Sequence, residues 1–101
     1  MSVSVLKKDF DFQGTIPHWA VDASGIEIHR DFVFQNFQEA FAFMTLCAQY
    51  AEEIDHHPDW SNCWNTVKVR LSTHSAKALT ELDIQLAKAM DTIANQVNTR
   101  V

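Results

Sequence analysis

The sequence predicts an α+β two-layer sandwich: a four-stranded antiparallel sheet with two long helices on one face, in the order ββαββα. Three observations carry this. Residues 26 to 35 and 66 to 74 alternate apolar and polar side chains with a period of two. Each is followed by a stretch with helical spacing, 37 to 54 and 81 to 97. Turn residues at 22 to 25 and at 64 and 65 make each alternating stretch the second arm of a hairpin. Two hairpins and two helices pack most simply as one sheet under one helical layer.

Taken in order, residues 1 to 15 read as an extended arm with one helical turn at Val5–Phe10, and residues 16 to 101 as a single domain. A short strand at His18–Val21 meets the Asp22-Ala-Ser-Gly turn. In the strand over 26 to 35, Ile26, Ile28, Phe32 and Phe34 share one face, and Arg30 interrupts it. Asn36 followed by Glu39 has the form of a helix cap. The helix after it carries two apolar stripes, Phe37-Ala40-Phe41-Met44 and Phe43-Leu46-Cys47-Tyr50, wider than one sheet would cover, so it is expected to touch a partner subunit as well. Pro58 stops it near Asp55. A strand over 59 to 63 leads to the clearest one: Val67, Val69, Leu71 and Thr73 face one way, and Lys68, Arg70, Ser72 and His74 the other. Thr80 with Asp83 repeats the capping form, and the last helix presents Leu82, Leu86, Ala89, Ile93 and Val97.

Composition narrows the function. One hundred and one residues make one core, and a formal charge of −5 without a Lys/Arg cluster argues against direct nucleic-acid binding. No run of eighteen apolar residues exists and the N-terminus lacks an apolar leader, so no membrane span or export is expected. Two isolated cysteines, Cys47 and Cys63, fit a reducing compartment, cytoplasmic or nuclear.

The chemistry-bearing residues are histidines. His18 and His29 read as surface. His56 and His57 are adjacent, and neighbours in extended chain point to opposite sides, so they make a poor metal site; no metal is expected. A polar loop is the ordinary reading of such a pair. His74 changes the balance, because it ends the clearest strand on its polar face, where a side chain is both held and reachable. Imidazoles titrate near pH 6.5 when unperturbed, so a converging set could divide into proton donor and acceptor.

Residues 51 to 87, AEEIDHHPDWSNCWNTVKVRLSTHSAKALTELDIQLA, resemble the pterin-4a-carbinolamine dehydratases. The shared elements are an acidic residue, His-His-Pro, an aromatic, an Asn-x-Val strand, Thr-His, and a Leu-Ser/Thr-x-x-Asp helix start. IPHW at 16 to 19 and the aromatic strand and helix at 32 to 53 are similar to the family too, so the resemblance spans about 16 to 97. Ala78 stands where the family usually has Gly, and an adjusted loop is expected there.

The resemblance implies dehydration of a 4a-hydroxytetrahydropterin to the quinonoid dihydropterin, a hydro-lyase step that recycles tetrahydrobiopterin after aromatic amino-acid hydroxylation. The pterin is then substrate, and no cofactor is needed. His56 and His74 would be the acid–base pair and His57 would hold the pterin. Glu52 would orient an imidazole, Pro58 would set the loop, and Trp60 and Trp19 would line the flat ring. Asp83 would cap the last helix and hold the loop after His74. The resemblance also implies a homotetramer built as a dimer of dimers. Animal members add a second role, as dimerisation cofactor of a homeodomain transcription factor, which makes an interaction module the alternative function.

Overall fold

Alternation decides the sheet. The protein, described here from a computed structural model over residues 4 to 98, runs α1 (Phe12–Thr15), β1 (Ala20–Val21), β2 (Ile28–Val33), α2 (Phe37–Ile54), β3 (Asp59–Cys63), β4 (Thr66–Leu71) and α3 (Glu81–Asn98). The four strands form one antiparallel sheet in the order β1-β2-β4-β3. Ile28, Phe32 and Phe34 from the first hairpin and Val67, Val69 and Leu71 from the second are buried under α2 and α3, with Phe43, Cys47, Leu86 and Met90 facing them. The intervening residues, among them His29, Asp31, Lys68 and Arg70, stay exposed. The α+β sandwich expected from the two periodicities is the fold.

Arg30, the interruption in the apolar face, is accommodated rather than expelled. Its guanidinium sits 4.2 Å from the centre of the Phe32 ring and pairs with Asp91 of α3. Asp91 also accepts the indole N–H of Trp19 at 2.9 Å. A polar clasp therefore ties the sheet to the last helix at the edge of the core, where a long side chain can bury its stem and keep its charge paired.

Both helix starts follow the capping rule. The Asn36 side chain accepts from the Glu39 N–H at 2.9 Å, and the Glu39 carboxylate reaches back to the Gln35 N–H at 3.0 Å. At the other end Asp55 takes the left-handed conformation (φ 52°), and the His56 N–H closes on the Ala51 carbonyl at 3.0 Å. This Schellman-type ending turns the chain sharply just before the two histidines. Asn65 pins the second hairpin to the first, donating its side-chain N–H to the Phe34 carbonyl at 2.9 Å while its own carbonyl accepts from the Phe34 N–H at 2.8 Å.

Several expectations are corrected. The strand expected over His18–Val21 is only Ala20–Val21, because Trp19 is drawn into the core. The strand expected over 26 to 35 is Ile28–Val33, and Ile26 is exposed. The helical turn expected at Val5–Phe10 lies at Phe12–Thr15; Val5 instead bridges to Thr80 and the Leu6 N–H bonds the Leu79 carbonyl at 3.0 Å. Leu86 and Val97 of α3 are buried as expected, but the buried stripe as a whole is rotated from the expected one. It runs through Asp83, Ala87, Met90 and Ala94, leaving Leu82, Ala89 and Ile93 half-buried beside it. A buried aspartate at the centre of the stripe is invisible to an apolar pattern. In the loop holding Ala78 the left-handed residue is Lys77 (φ 52°), so alanine carries no backbone strain at its position.

Burial pushes the Cys47 thiol up to about 12, so it stays protonated and serves as a core residue. Phe37, Phe41 and Leu46 stand exposed on α2, the two rings 5.7 Å apart. Among the described residues no helix is long and apolar enough to cross a membrane. At the tip of the second hairpin Trp64 is 63% exposed and left-handed (φ 50°). Glycine suits that conformation better than any residue with a Cβ, so Trp64→Gly is expected to stabilise the fold by about 0.5–1 kcal/mol. A higher urea midpoint with an unchanged slope is the result to look for.

Candidate active site

The sharp turn after α2 gives His56 and His57 opposite environments. His56 goes inward and is only 9% exposed, its Nε2 bonded to Asp83 Oδ1 at 2.7 Å. His57 goes outward, its Nε2 bonded to Glu52 Oε2 at 2.5 Å across one turn of helix end. Since a carboxylate only accepts, each ring carries a proton on Nε2, which leaves Nδ1 of His57 as the nitrogen available to a ligand.

Asp83 lies wholly inside the protein at the start of α3. Its Oδ2 accepts from the Thr73 hydroxyl at 2.7 Å and from the Thr80 backbone N–H at 2.9 Å, while Oδ1 holds His56. Thr73 has given its only proton to Asp83, so the Thr80 hydroxyl donates to Thr73 across 2.6 Å. No buried side-chain nitrogen or oxygen among the described residues is left without a hydrogen-bond partner. The placement of this knot matters. His56 precedes His57 in the chain, and Thr73 precedes His74, so one carboxylate anchors the residue behind each of two exposed histidines.

Those two histidines line one cleft of about 220 Å³, together with Pro58 and with Glu27, Asp59, Arg70 and Ser72. His74 makes no side-chain hydrogen bond to the protein among the described residues. The cleft opens at one end of the uncovered sheet face. Arg70 and Asp59 are cross-strand partners there, and Ser72 and His74 continue the polar face of β4 beyond its end.

The profile for "Pterin 4 alpha carbinolamine dehydratase" matches residues 5–93. The chain belongs to that family. A relative in Mesorhizobium japonicum that carries the pterin-4-alpha-carbinolamine dehydratase name provisionally is 58% identical over 73 residues, 72% of this chain and 74% of that protein. The crystal structure of a Brucella melitensis protein described as a transcriptional coactivator/pterin dehydratase superposes with a TM-score of 0.82 at 39% identity, over 90% of this chain and 99% of that one. A pterin dehydratase-like RuBisCO assembly factor of the alpha-carboxysome superposes at 0.66 with 22% identity over 75% of this chain and 88% of that one, which shows the shared fold alone.

Within this dehydratase-family domain the residues singled out from the sequence divide into three groups. His57, Pro58 and His74 line the cleft, and Glu52 bonds His57. His56 and Asp83 lie beneath it as the buried anchor. Trp60 flanks a neighbouring hollow of about 210 Å³ that shares Asp59 and Arg70 with the cleft, and Trp19 packs in the core edge-on to Phe32. The sequence reading gives proton transfer to His56 and ligand holding to His57; the structure puts His57 on the cleft and His56 beneath it, bonded to Asp83. Glu27, Asp59, Arg70 and Ser72 are the lining residues that reading passed over. Arg70 and Ser72 were reachable from the alternation that puts them on the face of His74, and Asp59 from the hairpin register. Glu27 comes from another hairpin, and nothing in its own segment points to the cleft. No three His, Cys, Asp or Glu side chains among the described residues are grouped as a metal ion would need.

Proposed function

We propose that the protein dehydrates 4a-hydroxytetrahydropterins to quinonoid dihydropterins, with His57 and His74 as the proton carriers and His56 as a buried support. The supporting observation is the cleft itself: two imidazoles, one just before β3 and one just after β4, share it, each backed by a residue held on Asp83. In the reaction the C4a–O bond breaks and the C4a–N5 double bond forms. The hydroxyl leaves as water after gaining a proton, and N5 gives its proton to a base. Two imidazoles facing one ring suit that exchange near neutral pH. Glu52 holds one nitrogen of His57 and so directs the other at the substrate, as a carboxylate does in other histidine-based sites. The step would return a tetrahydrobiopterin-type cofactor to the redox cycle of an aromatic amino-acid hydroxylase.

The test is to generate the 4a-hydroxypterin in situ and follow its ultraviolet decay with and without the purified protein. Catalytic acceleration above the spontaneous rate is expected. Decay at the spontaneous rate with folded protein present would remove the dehydratase reading.

A second reading, an interaction module, draws on the coactivator half of the Brucella protein's description and on the exposed Phe37–Phe41 strip of α2. The same strip supports self-association, to a dimer of dimers in the fullest form. Light scattering is expected to give a mass above the monomer that falls in Phe41→Asp. A monomeric wild type would count against both uses of the strip.

A further inference from the structure

Arg70 occupies an unusual place on the open sheet face. Besides the cleft of about 220 Å³ it walls the hollow beside Trp60 and a larger one of about 510 Å³ reaching toward β2. Its cross-strand neighbours are His29 on one side and Asp59 on the other. Its Nε lies 3.7 Å from Glu27 Oε2, and no hydrogen bond from its two terminal amino groups to the protein is found among the described residues. Glu27 walls the same cleft and the same larger hollow. A ligand that reaches from His57 and His74 along the sheet therefore meets a planar donor and an acceptor side by side.

Resting on the reading that the ligand is a 4a-hydroxypterin, we propose that Arg70 and Glu27 are positioning residues that read the pyrimidine edge of the ring. Arg70 donates to the carbonyl oxygen O4, and Glu27 accepts from the amide N3–H and the 2-amino group. The order of groups on that edge, one acceptor followed by two donors, is the complement of the Arg–Glu pair. The opposite edge of the ring, which carries the substituent, has no such ordered run. An anionic substituent would also be set against two carboxylates, Glu27 and Asp59. O4 is borne by the carbon next to C4a, so a bond at O4 fixes the reacting carbon one atom away, between the histidines. Arg70 then acts on orientation as well as on affinity. The planar fork of arginine suits this task, and lysine would supply charge without the fixed direction.

The experiment is competition binding at neutral pH against a fluorescent pterin, with three competitors: pterin, its 4-amino analogue and its 2-oxo analogue. Wild-type protein is expected to prefer pterin over the 4-amino analogue by about tenfold or more, the value of a hydrogen bond to a charged group. In Arg70→Ala that preference should shrink to the part carried by Glu27 on N3–H, which the 4-amino analogue also lacks, and Arg70→Lys should fall between. Glu27→Gln should erase the preference for the 2-amino group and leave only that part of the 4-oxo preference which Arg70 reads at O4. If Arg70→Ala weakens all three competitors equally, arginine contributes only charge or structure and the proposal is overturned. A wild type that catalyses the dehydration yet binds the three alike would overturn this inference alone. A wild type that binds none of them would remove the dehydratase reading and this inference together.

Discussion

Asp83→Ala is expected to destabilise the protein by about 3–5 kcal/mol, the usual result of removing one partner from a buried charged network. The carboxylate has no solvent contact and satisfies three donors at once: the His56 ring, the Thr73 hydroxyl and the Thr80 N–H. Alanine would leave all three facing a small apolar side chain, and each buried donor without a partner costs about 1–3 kcal/mol. Total stability for a domain of this size is of the order of 5–15 kcal/mol, so the variant would stand near the edge of folding. Asp83→Asn is the graded comparison. It keeps the shape but replaces one acceptor oxygen with a donor, which opposes either His56 or the Thr73–Thr80 side, and about 1–3 kcal/mol is expected. Thr73→Val removes two bonds, the one given to Asp83 and the one accepted from Thr80, and should cost about 1–3 kcal/mol. Urea titration orders the three. A loss in Asp83→Ala no larger than that in Thr73→Val would show that the knot is not a shared network.

The same variants bear on function through position. Asp83 touches neither cleft histidine; it holds the residue before each. An Asp83→Asn protein that remains folded should therefore lose activity through poorer placement of His57 and His74, with the site's groups all present. Placement within about half an ångström is what such geometry requires.

That knot also marks where sequence reading stops. The α+β class and the helix boundaries of α2 were legible because they follow from periodicity and from local chemistry: Asn36 caps, Asp55 ends the helix, Pro58 keeps it from resuming. The alternation of β4 placed Val67, Val69, Leu71 and Thr73 inside and Lys68, Arg70 and His74 outside, as observed. What failed were the places where a polar group is buried. Arg30 looked like an error in a strand until Asp91 supplied its partner, and Asp83 displaced the expected stripe of α3 because a pattern of apolar residues has no entry point for a buried carboxylate. Which of the adjacent histidines faces inward was hidden for a similar reason. Alternation says that His56 and His57 face opposite ways but not which one faces in; the answer depends on Asp83, twenty-seven residues further on. Cleft members such as Glu27 depend on the pairing of separate hairpins, which a single sequence states only once the sheet order is known.

Replacing the cleft histidines is expected to have the largest effect on rate. His57→Ala and His74→Ala should each lower kcat/KM for the 4a-hydroxypterin by about 10²–10⁴, the span general acid–base groups contribute. Stability should move little, because both side chains are exposed and neither is part of the buried knot. The double variant should fall by less than the product of the two single losses, since a proton donor without its acceptor already leaves the elimination half served. His56→Ala is the informative contrast. Its main effect should be on the urea midpoint, because it removes a bonded partner from Asp83, and any activity loss should follow from disturbed placement. Glu52→Gln should reduce the rate less than His57→Ala, since the amide oxygen can still accept from His57 Nε2 while the carboxylate charge is gone. Rates are compared on the folded fraction of each protein after subtraction of the spontaneous reaction. If His56→Ala, still folded, lost as much activity as His74→Ala while His57→Ala kept the wild-type rate, the buried imidazole would have to reach the substrate, and the cleft would need to open before catalysis.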